Sequence, residues 1–142
     1  MSKISEFVSK ALESSEDDGY KFGYITNRLC LRIAEVTGTR VLHDANTIIT
    51  SSAVRHAFVR HGGETEKDRT TQQAITAEDF EYLFDITRNP DNIQKGDKQG
   101  RKRDDIIIFS KKIKGKNYFV LMNADRSQNP ASLYFNTMYI RN

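Results

Sequence analysis

The sequence predicts an α+β domain in which N-terminal helices pack on a C-terminal antiparallel β-sheet. Three observations predict it. Before Asn89, apolar residues recur at helical spacing, as in Ile4, Phe7, Val8, Ala11 and Leu12. From Asp105 onward the period falls to two, with strands expected over 105–112, 117–123 and 132–141. A tight turn, Ile113-Lys114-Gly115-Lys116, joins the first two strands and makes them antiparallel. Helices first and strands after point to segregated layers. At 142 residues, without a repeat or a long linker, we expect one domain with an N-terminal helical part, 1–47, and a core, 48–142.

In order, a helix is expected over 4–14, ended by the polar run Ser14 to Gly19. Tyr20 to Ile25 suits a short strand. Thr26-Asn27 suits the cap of a helix through Leu29, Cys30, Ile33, Ala34 and Val36, closed by Gly38. Val41 to Ile49 does not decide between helix and strand. Thr50 and Ser51 offer hydroxyls for a cap, and Ala53, Val54, Ala57 and Phe58 form one stripe, so a helix is expected from Ser51 or Ser52 to His61, with Gly62 at its stop. Glu64 to Gln73 is polar and expected as a loop. Thr76 and Asp79 are spaced as a capping box, and Phe80, Leu83, Phe84 and Thr87 continue that helix to Asn89-Pro90. Asn92 to Asp105 is expected as a polar loop. Ile106 to Phe109 is apolar on both faces and is expected to be a central strand. In the last strand, strict alternation sends Leu133, Phe135, Thr137 and Tyr139 one way, and Tyr134, Asn136, Met138 and Ile140 the other.

The single cysteine, Cys30, excludes an internal disulfide. No apolar run is long enough to span a membrane, and the start lacks a secretory signal, so a cytoplasmic site of action is expected. The net charge of +3 is unevenly spread. Residues 89–142 carry 11 Lys/Arg against 5 Asp/Glu, and residues 1–88 carry 11 against 14. A basic C-terminal half points to an anionic partner, nucleic acid first.

The chemistry-bearing residues contain no metal motif. His56 and His61 are five apart and do not share a helix face as metal-binding pairs four apart do. No Gly-rich phosphate loop or nucleophile elbow is present. What remains suits phosphoryl transfer without a metal or other cofactor. His56 and His61 suit proton transfer near neutral pH, and His61 lies beside the helix C-terminus, where the dipole favours a protonated imidazole. Arg60, Lys111, Lys112 and Arg126 would stabilise added charge on a phosphate. Thr137 and Tyr139, two apart in a strand, share a face and would position a phosphate or move a proton. Arg101-Lys102-Arg103 would contact the substrate backbone. Each residue also has an ordinary structural use: a histidine in a helix, a tyrosine in a strand, lysines flanking a turn.

The order of these pieces carries a resemblance. A helix reads Val54-Arg55-His56-Ala57-Phe58-Val59-Arg60-His61-Gly62. Ile75-Thr76-Ala77-Glu78-Asp79-Phe80 and Asn89-Pro90-Asp91 follow, then a hairpin, then Asn136-Thr137-Met138-Tyr139. This resembles the phage-associated nuclease domains of the barnase–EndoU–colicin–RelE (BECR) superfamily, over roughly Ile48 to the C-terminus. The resemblance implies a barnase-like α+β fold and a metal-independent ribonuclease, often used as a toxin of phage or interbacterial systems. It implies His56, His61, Thr137 and Tyr139 as the catalytic set. RNA is the implied partner, tRNA included, with room for a cognate inhibitor or immunity protein and for delivery as a toxin domain. No membrane partner is expected.

The expected reaction is attack of a ribose 2′-OH on the adjacent phosphate, leaving a 2′,3′-cyclic phosphate. His56 by preference removes the 2′-OH proton, His61 or Tyr139 protonates the leaving oxygen, and Arg60, Lys111 or Arg126 stabilises charge. Two rivals stand beside it. A non-catalytic nucleic-acid-binding module would use the basic half alone. A protein-interaction domain of a phage or toxin operon would use the histidines structurally.

Overall fold

The computed structural model describes residues 3–41, 44–61, 72–96, 104–125 and 132–141. The first apolar stripe forms α1 (Lys3–Glu13), which buries Val8 and Ala11. α2 (Asn27–Thr37) begins and ends where its sequence requires. The Thr26 hydroxyl accepts from the Leu29 N–H at 3.3 Å, and Gly38 closes the helix with φ 76°, a left-handed conformation that glycine adopts without steric cost. Cys30, on this helix, is half-buried against the core, and burial pushes its thiol above the ordinary range.

α3 (Ser51–His61) is capped by Thr50, whose hydroxyl accepts from the Ala53 N–H at 3.2 Å. Arg55 on α3 donates to the carbonyls of Ala11, Ser14 and Glu16 at 3.0, 2.9 and 3.2 Å. One guanidinium thereby satisfies the Ala11 carbonyl, left open at the end of α1, with two carbonyls of the segment that follows, and ties α3 to α1.

A 3₁₀ turn, Ala77–Tyr82, leads into α4 (Leu83–Arg88). One Asp79 oxygen accepts from the Thr76 N–H at 2.8 Å and from the Thr76 hydroxyl at 3.1 Å; the other accepts from the Tyr118 hydroxyl at 2.7 Å. The acid that starts this segment is therefore buried and bonded to the sheet. Burial, and after it the hydrogen bond to Asp79, pushes the Tyr118 phenol well above its usual range.

Among the described residues seven strands make one sheet: β1 (Gly19–Tyr24), β2 (Asn46–Thr50), β3 (Gln72–Gln73), β4 (Asn92–Lys95), β5 (Asp104–Ile113), β6 (Lys116–Asp125) and β7 (Leu133–Arg141). The order is β1-β2-β7-β6-β5-β4, with β3 added at the end of β7. The C-terminal meander β5-β6-β7 is antiparallel as expected. Its first turn places Lys114 and Gly115 at φ 51° and 81°, the pair of positive angles that a two-residue hairpin of the favoured twist demands.

Several features differ from expectation, and Gln72–Gln73, expected at the end of a loop, is strand β3. The undecided stretch becomes β2, and it pairs parallel to β7, Thr47 with Leu133 and Ile48 with Tyr134, so the sheet is mixed. β1 is the short strand expected over Tyr20 to Ile25, but through β2 it joins the C-terminal strands, so the one sheet takes in the N-terminal part as well. Asn92–Lys95, expected in a loop, is edge strand β4 against Ile107–Ser110. Its polarity misled because an edge strand needs one buried residue to anchor it, here Ile93. That strand also makes β5 internal, as the apolar run predicts.

The decisive local feature lies in β7. Leu121 pairs with Thr137 and Met122 with Phe135, so Asn136 is an extra residue, a β-bulge. Its side-chain amide donates to Asn123 Oδ1 at 2.9 Å. The bulge shifts the alternation by one. Leu133, Phe135, Met138 and Ile140 all face the helices, paired with Ala124, Met122, Val120 and Tyr118. Thr137 and Tyr139 turn to the opposite, open face with Arg141, paired with Leu121, Phe119 and Asn117. Thr137 and Tyr139 do share a face, but not with Leu133 and Phe135. On the helical side Phe80 is fully buried, 5.7 Å from the ring of Phe58 and 5.6 Å from that of Phe135. This contact fixes α3 and the 3₁₀ turn over the middle of β7.

Candidate active site

β7 is flanked by different partners along one edge. β2 pairs with Leu133 and Tyr134, and β3 pairs with Ile140 and Arg141. Among the described residues no strand pairs with Phe135 to Tyr139 on that side. α3, which follows β2 directly and precedes β3, packs on β7. Its buried positions Val54, Ala57 and His61 recur at three and four residues, the spacing of one helix face. The last turn of α3 is fixed at its backbone too, because the His61 carbonyl accepts from the Ile75 N–H at 3.0 Å.

This brings His61 to Tyr139. The two rings lie 5.7 Å apart between centroids, and His61 is only 7 % exposed. Tyr139 stacks on Phe119 at 4.8 Å with 11° between planes. The Arg141 guanidinium lies over both rings, 5.3 Å from Tyr139 and 5.7 Å from Phe119. Two residues before Tyr139, the Thr137 hydroxyl is buried and has no hydrogen-bond partner among the described residues. A buried hydroxyl without a partner is costly, and the Thr47 hydroxyl is in the same position. The last turn of α3 and the end of β7 thus gather an imidazole, a phenol, a guanidinium and a buried hydroxyl.

The other candidates fall elsewhere. His56 and Arg60 stand together on the exposed side of α3. Five residues along a helix is a turn of about 140°, so His56 does not join His61 at Tyr139. Lys111 pairs with Tyr118 and so lies on the helical face. Its ammonium donates to the Asn89 carbonyl at 2.6 Å and sits 3.7 Å from the Asp85 carboxylate. It ties β5 to the end of α4. Lys112, on the opposite parity, pairs with Asn117, itself paired with Arg141, and stands exposed on the open face. Arg101, Lys102, Arg103 and Arg126 lie outside the described residues. Arg141 and Phe119 were missed in the sequence. Arg141 was findable, being two residues past Tyr139 and of the same parity. Phe119 was not, because its role depends on register.

Among the described residues no group of three His, Cys, Asp or Glu is placed to hold a metal ion, and no helix is long and apolar enough to cross a membrane.

A small α+β domain that brings the histidine at the end of α3 to a tyrosine of β7, with an arginine over the tyrosine ring, has the means for acid–base chemistry on a phosphate ester. The family model described as phage-Barnase-EndoU-ColicinE5/D-RelE like nuclease matches residues 24–142. The chain belongs to this nuclease family. The match begins well before Ile48 and takes in α2 and β2, which the quoted motifs did not reach. No curated protein and no solved structure matches the chain.

Proposed function

We propose that the chain is a metal-independent endoribonuclease that cleaves by attack of a 2′-OH and leaves a 2′,3′-cyclic phosphate. The observation that carries the reading is the approach of His61 to Tyr139, 5.7 Å between rings, with the buried Thr137 hydroxyl two residues away on the same face. Proton-transfer groups near neutral pH and a hydroxyl lacking a partner match the needs of phosphoryl transfer.

In the proposed reaction the O2′–P bond forms as the P–O5′ bond breaks. His61 takes the 2′-OH proton and Tyr139 gives its proton to the departing O5′. The proton returns from His61 to Tyr139 through solvent before the next turnover. Thr137 donates to a phosphate oxygen. Arg141 supplies positive charge where the phosphorane develops, and Lys112 extends that charge along the open face. This moves the base from His56 to His61 and removes Lys111 from the site. His56 and Arg60 become outer contacts to the RNA strand. Toxin-type use, tRNA as a substrate to test first, and a cognate inhibitor covering the open face belong to the same reading.

The reaction is tested with an oligoribonucleotide cleaved at one known bond, in which the 2′-OH beside that bond is replaced by hydrogen. The proposal expects cleavage there to vanish while neighbouring ribonucleotides stay susceptible. Cleavage at the deoxy position would overturn it.

A further inference from the structure

The helical side of the molecule holds a second feature that the proposed reaction does not use. A cleft of about 430 Å³ opens between the start of α2 and the end of α4. Arg28, Arg32 and Arg88 line it with Thr26, and Asn89 and Pro90 close it. No carboxylate is among the lining residues. The acid of α4, Asp85, is held by Lys111 at 3.7 Å.

Local rules are broken to build this charge. Arg28 sits in the first turn of α2, where the positive end of the helix dipole disfavours a cation. Arg32 follows four residues later on the same face, a like-charge pair that weakens a helix. Such departures are expected at functional positions. The third arginine is held in place. Arg88 lies 4.7 Å from the ring centroid of Tyr24 and 5.7 Å from that of Phe84, and it donates to the Tyr24 hydroxyl at 3.4 Å. Both rings keep about half their surface exposed, 47 % and 48 %, beside that guanidinium.

Three guanidinium groups in a concave site, with two half-exposed rings beside it, are a complement to a phosphate carried by a flat ring. We infer that this cleft binds the phosphate of a nucleotide, either free or within an RNA chain. The inference stands apart from the catalytic reading, since α2 and α4 pack on the face of the sheet opposite Thr137 and Tyr139.

The test is an NMR titration of the full chain in EDTA with three probes: inorganic phosphate, adenosine monophosphate and a short 2′-O-methyl RNA that 2′-OH attack cannot cleave. The expected result is movement of the Arg28 and Arg32 side-chain N–H signals and of the Leu29 backbone N–H, lost in an Arg28→Gln/Arg32→Gln variant. Adenosine monophosphate also moves Tyr24 and Phe84. Response to the small probes identifies a free nucleotide as the source. Response to the RNA alone identifies the polymer, and the salt slope of binding then falls by roughly 0.7 for each phosphate contact removed. Silence from all three probes, or equal binding by the double variant, would overturn the inference. Arg28 is exposed and Arg32 half-buried, with its guanidinium donating to the Pro90 carbonyl at 3.5 Å, so the melting temperature of the variant is measured beside the titration.

Discussion

His61, the last residue of α3, meets Tyr139 near the end of β7 with 5.7 Å between ring centroids. The pair forms because two separate devices coincide. A three-and-four spacing turns His61 inward with Val54 and Ala57, and the bulge at Asn136 turns Tyr139 away from the core. Neither residue would reach the other if one device were missing.

Tyr139→Phe keeps the stack on Phe119 and removes only the hydroxyl. Cleavage is expected to fall by roughly 10²–10⁴-fold, the usual share of a positioned proton donor. The melting temperature should hold. A variant with wild-type turnover would remove Tyr139 from the chemistry.

The two histidines should separate cleanly. His61→Gln is expected to lower kcat by about 10²–10⁴-fold and to flatten a limb of the pH–rate profile between roughly pH 5 and 8. His56→Ala, on the exposed side of α3, should change affinity by less than about tenfold and leave kcat and the pH profile alone. If kcat fell as far for His56→Ala, the base would belong on the outer face of the helix.

The two lysines after Ser110 should also part company. Lys112→Ala and Arg141→Ala are expected to slow cleavage, the latter by about 10²–10³-fold if it stabilises the phosphorane. Lys111→Met should leave cleavage intact and cost stability by less than about 1 kcal/mol, since its partner Asp85 is half exposed. Steady-state kinetics beside thermal melts distinguish the two effects.

Tyr118→Phe tests the buried bond to Asp79. Loss of a hydrogen bond to a charged group should destabilise the fold by about 1–3 kcal/mol in urea unfolding. The phenol is raised in the folded state, so its contribution is complete below the ordinary tyrosine value of 10.0 and is lost as pH climbs above it. Wild type should therefore weaken in alkali more than the Phe variant does. Parallel curves would show that Tyr118 is not the group responsible.

Much of this was legible in the sequence because it rests on local rules. Thr26 and Gly38 bound α2, Thr50 starts α3, and Lys114-Gly115 turn the hairpin, each through its own backbone chemistry. Thr137 and Tyr139 were legible as neighbours on a face for the same reason. What escaped depended on pairing between distant segments. Strict alternation cannot reveal the extra residue at Asn136, which is defined only against Leu121 and Met122. The parallel pairing of β2 with β7 is invisible in either strand alone. Lys111 and Lys112 look alike in sequence, and only register puts one on each face. The exposure of His56 was legible, since five residues along a helix do not share a face with the buried His61.

The most direct test of the account is incubation of the full chain with total RNA in excess EDTA, followed by chemical analysis of the new ends. The account predicts undiminished cleavage, with 2′,3′-cyclic phosphate on one side of each cut and a free 5′-hydroxyl on the other. Activity that disappears on chelation and returns with Mg²⁺ or Zn²⁺, or products ending in 3′-hydroxyl and 5′-phosphate, would contradict it.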